Sequence, residues 1–381
     1  MPAIGGPYPL SMIDAWTWPA WVGVLLGSLL FVGVLVPVLV LQSRRYGGLS
    51  LPRLLGAAAL AVYLVTLAAY TLLPLPSGDL DAWCAEHAVG HDLVPLHSLA
   101  DIRRETAGLG TRATLTSAVT LQVVLNVVLF VPWGVLARRF LGLSLVTSVL
   151  SGFVASTLIE LSQYTGLFGL IGCSYRVGDV DDVLTNTAGA LLGATLAPAV
   201  LGWMPGSAEL HEDRGRARPV TVWRRWSAMV VDLGTYALLG YATVVSYRLV
   251  LLATGHEIPL RNGWPEWVAA VVVPTLLVVV GPAATGSGAS LGQRALWLVP
   301  DWPGRPRVAD RLRRCLGTAG TLALVHAVAT APGHPGWVPG AASAATAVLL
   351  VAAVVAVPLT RDRRGLSGLV AGVPYRDARA G

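Results

Sequence analysis

The chain has 381 residues, of which 54% are hydrophobic and 13% charged, with a mean hydropathy of +0.65. A soluble domain carries about 25% charge, so that class is excluded. The 42 Gly and 25 Pro are scattered through runs of Leu, Val and Ala rather than gathered in polar tracts, which excludes a disordered chain. At roughly 20 residues per spanning helix, this length accommodates about eight to ten crossings. The net charge of +6 comes from Arg, since no Lys occurs.

The first apolar run, 18–41, is too long for the apolar core of a signal peptide and has no small-residue cleavage site after it. It reads as a retained helix. Further runs lie near 54–73, 119–137, 141–161, 183–203, 229–253, 267–281, 316–331 and 337–359, making nine expected crossings. Such runs are too long for barrel strands, and only helices or closed barrels satisfy their backbone in lipid. The expected fold is therefore all-α, a polytopic transmembrane helical bundle with two membrane domains. The polar tract from His211 to Pro219 is the one convincing linker. It divides the chain into an N-terminal helix with its basic loop (1–53), a first membrane domain (54–203), a cytoplasmic linker (204–219), a second membrane domain (220–316) and C-terminal helices with a basic tail (317–381).

Cytoplasmic loops retain positive charge. Arg44, Arg45 and Arg53 share one loop, Arg138 and Arg139 the next on that side, then Arg214 to Arg225, Arg294 to Arg314, and Arg361 to Arg364. The intervening loops carry Asp79, Asp81, Glu86, Asp92, Asp101 and Glu105, then Asp179, Asp181 and Asp182, then Glu257 and Glu266. This alternation places the protein in the cell membrane with its N-terminus outside and its C-terminus in the cytoplasm. It also explains the positive charge as orientation bias, with no nucleic-acid partner.

Polar side chains in spanning runs are costly, and each is a candidate for function. The first domain holds a cluster of them. Asn126 lies in the outer half of its helix, ahead of Phe130-Val131-Pro132-Trp133-Gly134. Ser156, Glu160 and Gln163 share one helical face at spacings of four and three. Arg176, Asp179 and Asp182 follow across a short loop, and Asn186, Gly189 and Gly193 continue the stripe. The Gly-x-x-x-Gly pair permits close helix approach. A carboxylate at Glu160 needs a cation or donor nearby, and Arg176 is the only cation the local sequence offers. Two readings follow: a structural network locking three helices together, or an outward-facing site for a polar headgroup, sugar or ion.

The set Asn126 with Phe130-x-Pro132-x-Gly134, Ser156-x-x-x-Glu160-x-x-Gln163, and Arg176-x-x-Asp179-x-x-Asp182-x-x-x-Asn186-x-x-Gly189-x-x-x-Gly193 resembles the VanZ family of bacterial membrane proteins. Leu93-Val94-Pro95-Leu96 is similar to the family's Leu-x-Pro-Phe stretch, with Leu96 in place of the usual aromatic. The resemblance covers about 54–201. It implies an envelope protein, since the family is named for a protein linked to resistance against the glycopeptide teicoplanin, and it carries over no catalytic residue. On this reading Arg176 holds an anionic headgroup, Glu160, Asp179 and Asp182 orient it, and Asn126, Gln163 and Asn186 donate hydrogen bonds. The partners expected are membrane lipids, lipid-linked cell-wall precursors or other envelope components.

Past the linker, Arg225 and Asp232 sit two turns apart on one helical face, about 10 Å along the axis, so Asp232 needs a partner other than Arg225. Arg294 and the stretch from Arg305 to Arg314 mix cationic with apolar residues and suit the headgroup layer. These features resemble the RDD family, named for one Arg and two Asp. Arg225 and Asp232 match the first two, Gly292-Gln293-Arg294 is similar to the family's Gly-Lys-Arg turn, and Asp301 stands for the second Asp. Ion transport has been attributed to some members of that family, which makes an ion- or proton-coupled transporter the alternative function. The bland reading of Asp232 is a structural tie to a cytoplasmic Arg.

Cys84 and Cys173 fall in expected external loops, where they are either bridged or two free thiols. Cys84, Glu86, His87 and His91 could share a metal, although solvated loop residues are the simpler reading. No phosphate-binding Gly loop, Gly-x-Ser-x-Gly elbow or His-Glu-x-x-His occurs, so no recognised enzyme motif, cofactor or metal site is expected. An intramembrane enzyme using Glu160 as base and Asp179 or Asp182 as acid is a third reading.

Overall fold

The computed structural model describes residues 12–259 and 263–380. Helices dominate, and the sheets among the described residues are two short pairs. The first apolar run is broken at Val34 into α1 (Met12–Gly33) and α2 (Leu35–Tyr46). Pro37 lacks an N–H and its ring crowds the carbonyl four residues back, that of Gly33, which ends α1 there. α3 (Leu51–Leu72) follows, then the short α4 (Leu80–His87) and α5 (His97–Glu105).

Next come α6 (Ala118–Phe140), α7 (Leu145–Tyr164), α8 (Val180–Val200), α9 (Val222–Ala253) and α10 (Trp264–Ala284). The remainder is α11 (Leu291–Ala295), α12 (Val308–Leu316), α13 (Ala319–Thr330), α14 (Val338–Leu359) and α15 (Gly365–Ala371). Seven described helices, α3, α6 to α10 and α14, are long and apolar enough to cross a membrane, or eight if the interrupted α1–α2 pair counts as one span. The protein is therefore an integral membrane protein. The expected nine crossings are corrected by α13, whose 12 residues reach only about 18 Å, short of the roughly 30 Å hydrocarbon core.

Helix starts are set by small polar caps. Ser117, Ser144, Asp179 and Thr221 each accept a backbone N–H in the first turn of α6, α7, α8 and α9. The chain forms two compact units, one running up to Val34 and over Ser50–Glu209, the other Leu35–Leu49 with Leu210–Gly381.

In the first unit α8 packs against both α6 and α7. Side chains at Gly189 and Gly193 would overlap the carbonyl oxygens of Val127 and Val131, so these glycines let α6 and α8 touch backbone to backbone. Phe130, Ala190 and Leu67 form the buried centre, with Tyr63 donating to Leu129 O at 2.9 Å. β1 (His91–Asp92) pairs in parallel with β2 (Gly178–Asp179) at the end where α8 begins. In the second unit, α11 abuts α9 through Gly292, where a side chain would collide with Ala228 O. β3 (Leu298–Pro300) pairs antiparallel with β4 (Tyr375–Asp377), which returns the C-terminal tail to the same core.

Candidate functional site

The first unit's polar residues gather where α7 ends and α8 begins. Asp179 caps α8 by accepting from Asp181 N at 2.8 Å, and its own N–H donates to Glu160 Oε2 at 3.0 Å. Asn126 Nδ2 donates to Asp182 Oδ1, which ties α6 to α8. One turn further along each helix, Asn186 Nδ2 donates to Ser156 Oγ at 2.8 Å. The structure thus brings together Asn126, Glu160, Asp179, Asp182 and Asn186 from three helices.

The other two expected ligand residues, Arg176 and Gln163, are bonded to backbone carbonyls. Arg176 Nη1 donates to Thr71 O at 2.6 Å and Tyr70 O at 3.3 Å, and Gln163 Nε2 donates to Thr71 O at 2.7 Å. The last carbonyls of a helix have no partner within it and attract cations, and the end of α3 takes both side chains. The expected Arg176–Glu160 pairing is therefore corrected: among the described residues Arg176 makes no ion pair, and Glu160 is held by a backbone N–H instead.

In the sequence Asp181 is one more loop charge; in the structure it is 3% exposed and fully engaged. Its Oδ1 accepts from Leu96 N at 2.6 Å and its Oδ2 from Ser98 N at 2.7 Å, so it caps α5 from outside. Leu96, with φ 65°, enters α5 through a left-handed turn that these bonds hold. His97 bonds Asp92 on the same segment. That bond raises the His97 pKa, while the Val94 N–H first and His97 second lower that of Asp92. Burial raises the Asp179 carboxyl against the opposing pull of the Asp181 N–H.

A Cys84–Cys173 disulfide joins α4 to the segment before β2. It removes Cys84 from any metal set, and among the described residues no group of three or more His, Cys, Asp or Glu could hold a metal ion.

In the second unit Asp232 accepts from Ser290 Oγ at 2.6 Å and Gly292 N at 2.7 Å, which answers its need for a partner other than Arg225. Arg225, 2% exposed, lies over the Tyr375 ring at 3.5 Å from its centroid and donates to Arg364 O at 3.2 Å. Arg314, 3% exposed, donates to Tyr375 OH at 2.8 Å and to Gly288 O. Burial disfavours the Tyr375 phenolate, but the Arg225 and Arg314 charges outweigh it and bring the pKa down to about 8.

Asp301 is corrected out of this cluster. It forms an exposed ion pair with Arg376 at 3.2 Å. The acid that joins the buried arginines is Asp377, which accepts from Arg224 at 2.9 Å and Arg379 at 2.7 Å. Burial opposes its charge, but Arg379, the Arg218 N–H and Arg224 hold its carboxyl well below the ordinary range. Apart from its acidity in a basic tail, nothing in the sequence around Asp377 marks it.

Residues 60–201 match the family model of VanZ/LLP1. The matched stretch contains every residue of the first unit's cluster, from Asn126 to Asn186. No curated protein and no solved structure matches the chain. Fold and site together define a polytopic membrane protein with a VanZ/LLP1-like segment.

Proposed function

We propose that this is a bacterial cell-envelope protein whose VanZ-like segment recognises a polar group of a lipid-linked or wall-associated component and thereby alters susceptibility to glycopeptides of the teicoplanin type. One observation carries the reading. Glu160 Oε1, Asp179 Oδ2 and Asp182 Oδ2 have no protein donor among the described residues, although their partner oxygens are each engaged. None of these three oxygens is a fully buried unpaired atom, so each is open to a polar group arriving at that end of the bundle.

The acidic loops and the Cys84–Cys173 bridge support placing that end outside the cell, where disulfides persist. The Arg-rich loops support a cytoplasmic C-terminus. Cysteine-accessibility labelling at positions flanking Glu160 and Asp232 tests sidedness. Gene deletion tests the role: teicoplanin sensitivity and surface-lipid composition should change, and complementation with Asp182→Asn should fail to restore them. Unchanged sensitivity and lipids on deletion would refute it.

Residues 220–316 are proposed to be RDD-like on Arg225, Asp232 and Gly292-Gln293-Arg294. Asp232 has both oxygens committed to Ser290 and Gly292, which favours a structural role over proton carriage.

A further inference from the structure

Seven side-chain polar atoms among the described residues are buried without a hydrogen-bond partner, and five of them are guanidinium nitrogens of Arg225, Arg311, Arg314 and Arg364. All four arginines belong to the second unit. A guanidinium carries donors and no acceptor, so no change of side-chain orientation turns such an atom into anything but an unmet donor. Only an acceptor can answer it.

Arg225 and Arg314 are the two that converge. Arg225 of α9, 2% exposed, has its Cζ 3.5 Å from the centroid of the Tyr375 ring, and Arg314 of α12, 3% exposed, has its Nη1 2.8 Å from the Tyr375 hydroxyl. Both face the volume that one side chain of β4 fills. Arg225 Nε and Nη1 and Arg314 Nε stay unpaired with the ring in place, and neither arginine forms an ion pair among the described residues. The acids of this core are committed elsewhere. Asp377 is held by Arg224 and Arg379, while Asp232 attracts both cations but has its oxygens on Ser290 and Gly292. Two buried cations thus share one uncommitted phenol, where buried charges are ordinarily paired.

We propose that Arg225 and Arg314 form a binding site for a phosphate group, and that Tyr375 of β4 is the chain's own occupant of that site, displaced when the anion binds. A tetrahedral oxyanion presents acceptors in several directions from one negative centre, which suits guanidinium donors arriving from two helices. Once Tyr375 leaves, Arg314 Nη1 and the Ser367 hydroxyl, both bonded to its OH, turn to the same anion. A cation or an amine brings donors to a site made of donors. The element that seats Tyr375 can yield: β4 has three residues and a single neighbour, β3, and a two-stranded pair is marginal by itself.

The test titrates inorganic phosphate into the full chain in an uncharged, phosphate-free detergent and reads the heat of binding. Tyr375→Ala removes the occupant and should bind phosphate about tenfold tighter than the unaltered chain, the discrimination of one charged hydrogen bond. A gain of affinity cannot come from failure to fold. Arg225→Gln added to Tyr375→Ala should abolish the gain, and Arg314→Gln repeats the test if that variant does not fold. Arg305→Gln, on an exposed loop, should leave it unchanged. In the unaltered chain, saturating phosphate should speed hydrogen exchange at the Asp301 and Ala378 amides, which donate to Pro374 O and Trp297 O across the two strands. Phosphatidylcholine vesicles doped with phosphatidic acid separate the sources. Retained phosphatidic acid that free phosphate competes away means that the phosphate alone suffices, and retention without competition means that the lipid form is required.

A Tyr375→Ala chain that binds neither probe, or binding that persists with Arg225→Gln and Arg314→Gln, overturns the site. Equal affinity of Tyr375→Ala and the unaltered chain, with exchange at Asp301 and Ala378 unchanged by phosphate, overturns the displacement of Tyr375.

Discussion

The polar end of the first unit and the arginine-rich core of the second leave opposite kinds of atom unpaired. In the first, Arg176 is fixed by carbonyls while Glu160, Asp179 and Asp182 keep free oxygens. In the second, Asp232 and Asp377 have every oxygen occupied, while Arg225 Nε and Nη1 and Arg314 Nε are buried without a partner. In the first, backbone groups do much of the neutralising, helix-end carbonyls for Arg176 and N–H groups for Glu160 and Asp181, whereas in the second Asp377 is held by the Arg224 and Arg379 side chains. An ionisable residue in a spanning run is thus read by what remains open on it, since its charge alone does not distinguish a tie from a site.

The largest effect that bears on this comparison is expected at the α6–α8 contact. Gly193→Leu pushes a side chain into the Val131 carbonyl and should cost more than about 3 kcal/mol, enough to prevent the first unit from assembling. Yield of monodisperse protein and its melting temperature check this. Preserved yield would mean that the polar end does not depend on that close approach.

Breaking the Cys84–Cys173 bridge with a double Ser substitution should destabilise the first unit by about 2–5 kcal/mol. Hydrogen exchange should show lost protection at α4 and β2, with the slow amides of α9 unchanged. Asp232→Ala leaves the Ser290 hydroxyl and the Gly292 N–H unpaired and should cost roughly 1–3 kcal/mol. If the same variant abolished ion flux in vesicles without lowering the melting temperature, Asp232 would be a carrier rather than a tie.

Tyr375 gives a pH signature. Its folded pKa of about 8 lies below the ordinary phenol value near 10. Its contribution to stability is therefore full above about 10 and is lost as pH falls through about 8. Absorbance at the phenolate band should show a component with that midpoint, absent in Tyr375→Phe and moved upward in Arg314→Gln. The smallest effect is expected at the exposed Asp301–Arg376 pair, where Asp301→Ala should change stability by less than about 1 kcal/mol in thermal melts.

Much of this protein was readable before any coordinates. Apolar runs near 20 residues impose helices, because lipid offers a backbone no other partner, and the Ser, Thr and Asp caps then place their starts. The stripe from Ser156 to Gln163 and from Asp182 to Gly193 was visible because helical period places such residues on one face. Asp181 and Asp377 escaped notice for a common reason. Each is engaged by groups far away in the chain, Leu96 and Ser98 for one and Arg224 for the other, and no periodicity encodes such a meeting. The partners of Arg176 are not legible in the sequence, because the α3 carbonyls that capture it belong to the backbone, which has no letter of its own there. Composition and period decide what must enter the membrane and which faces are polar. Which donor finds which acceptor depends on three-dimensional proximity, and so do the oxygens left unpaired.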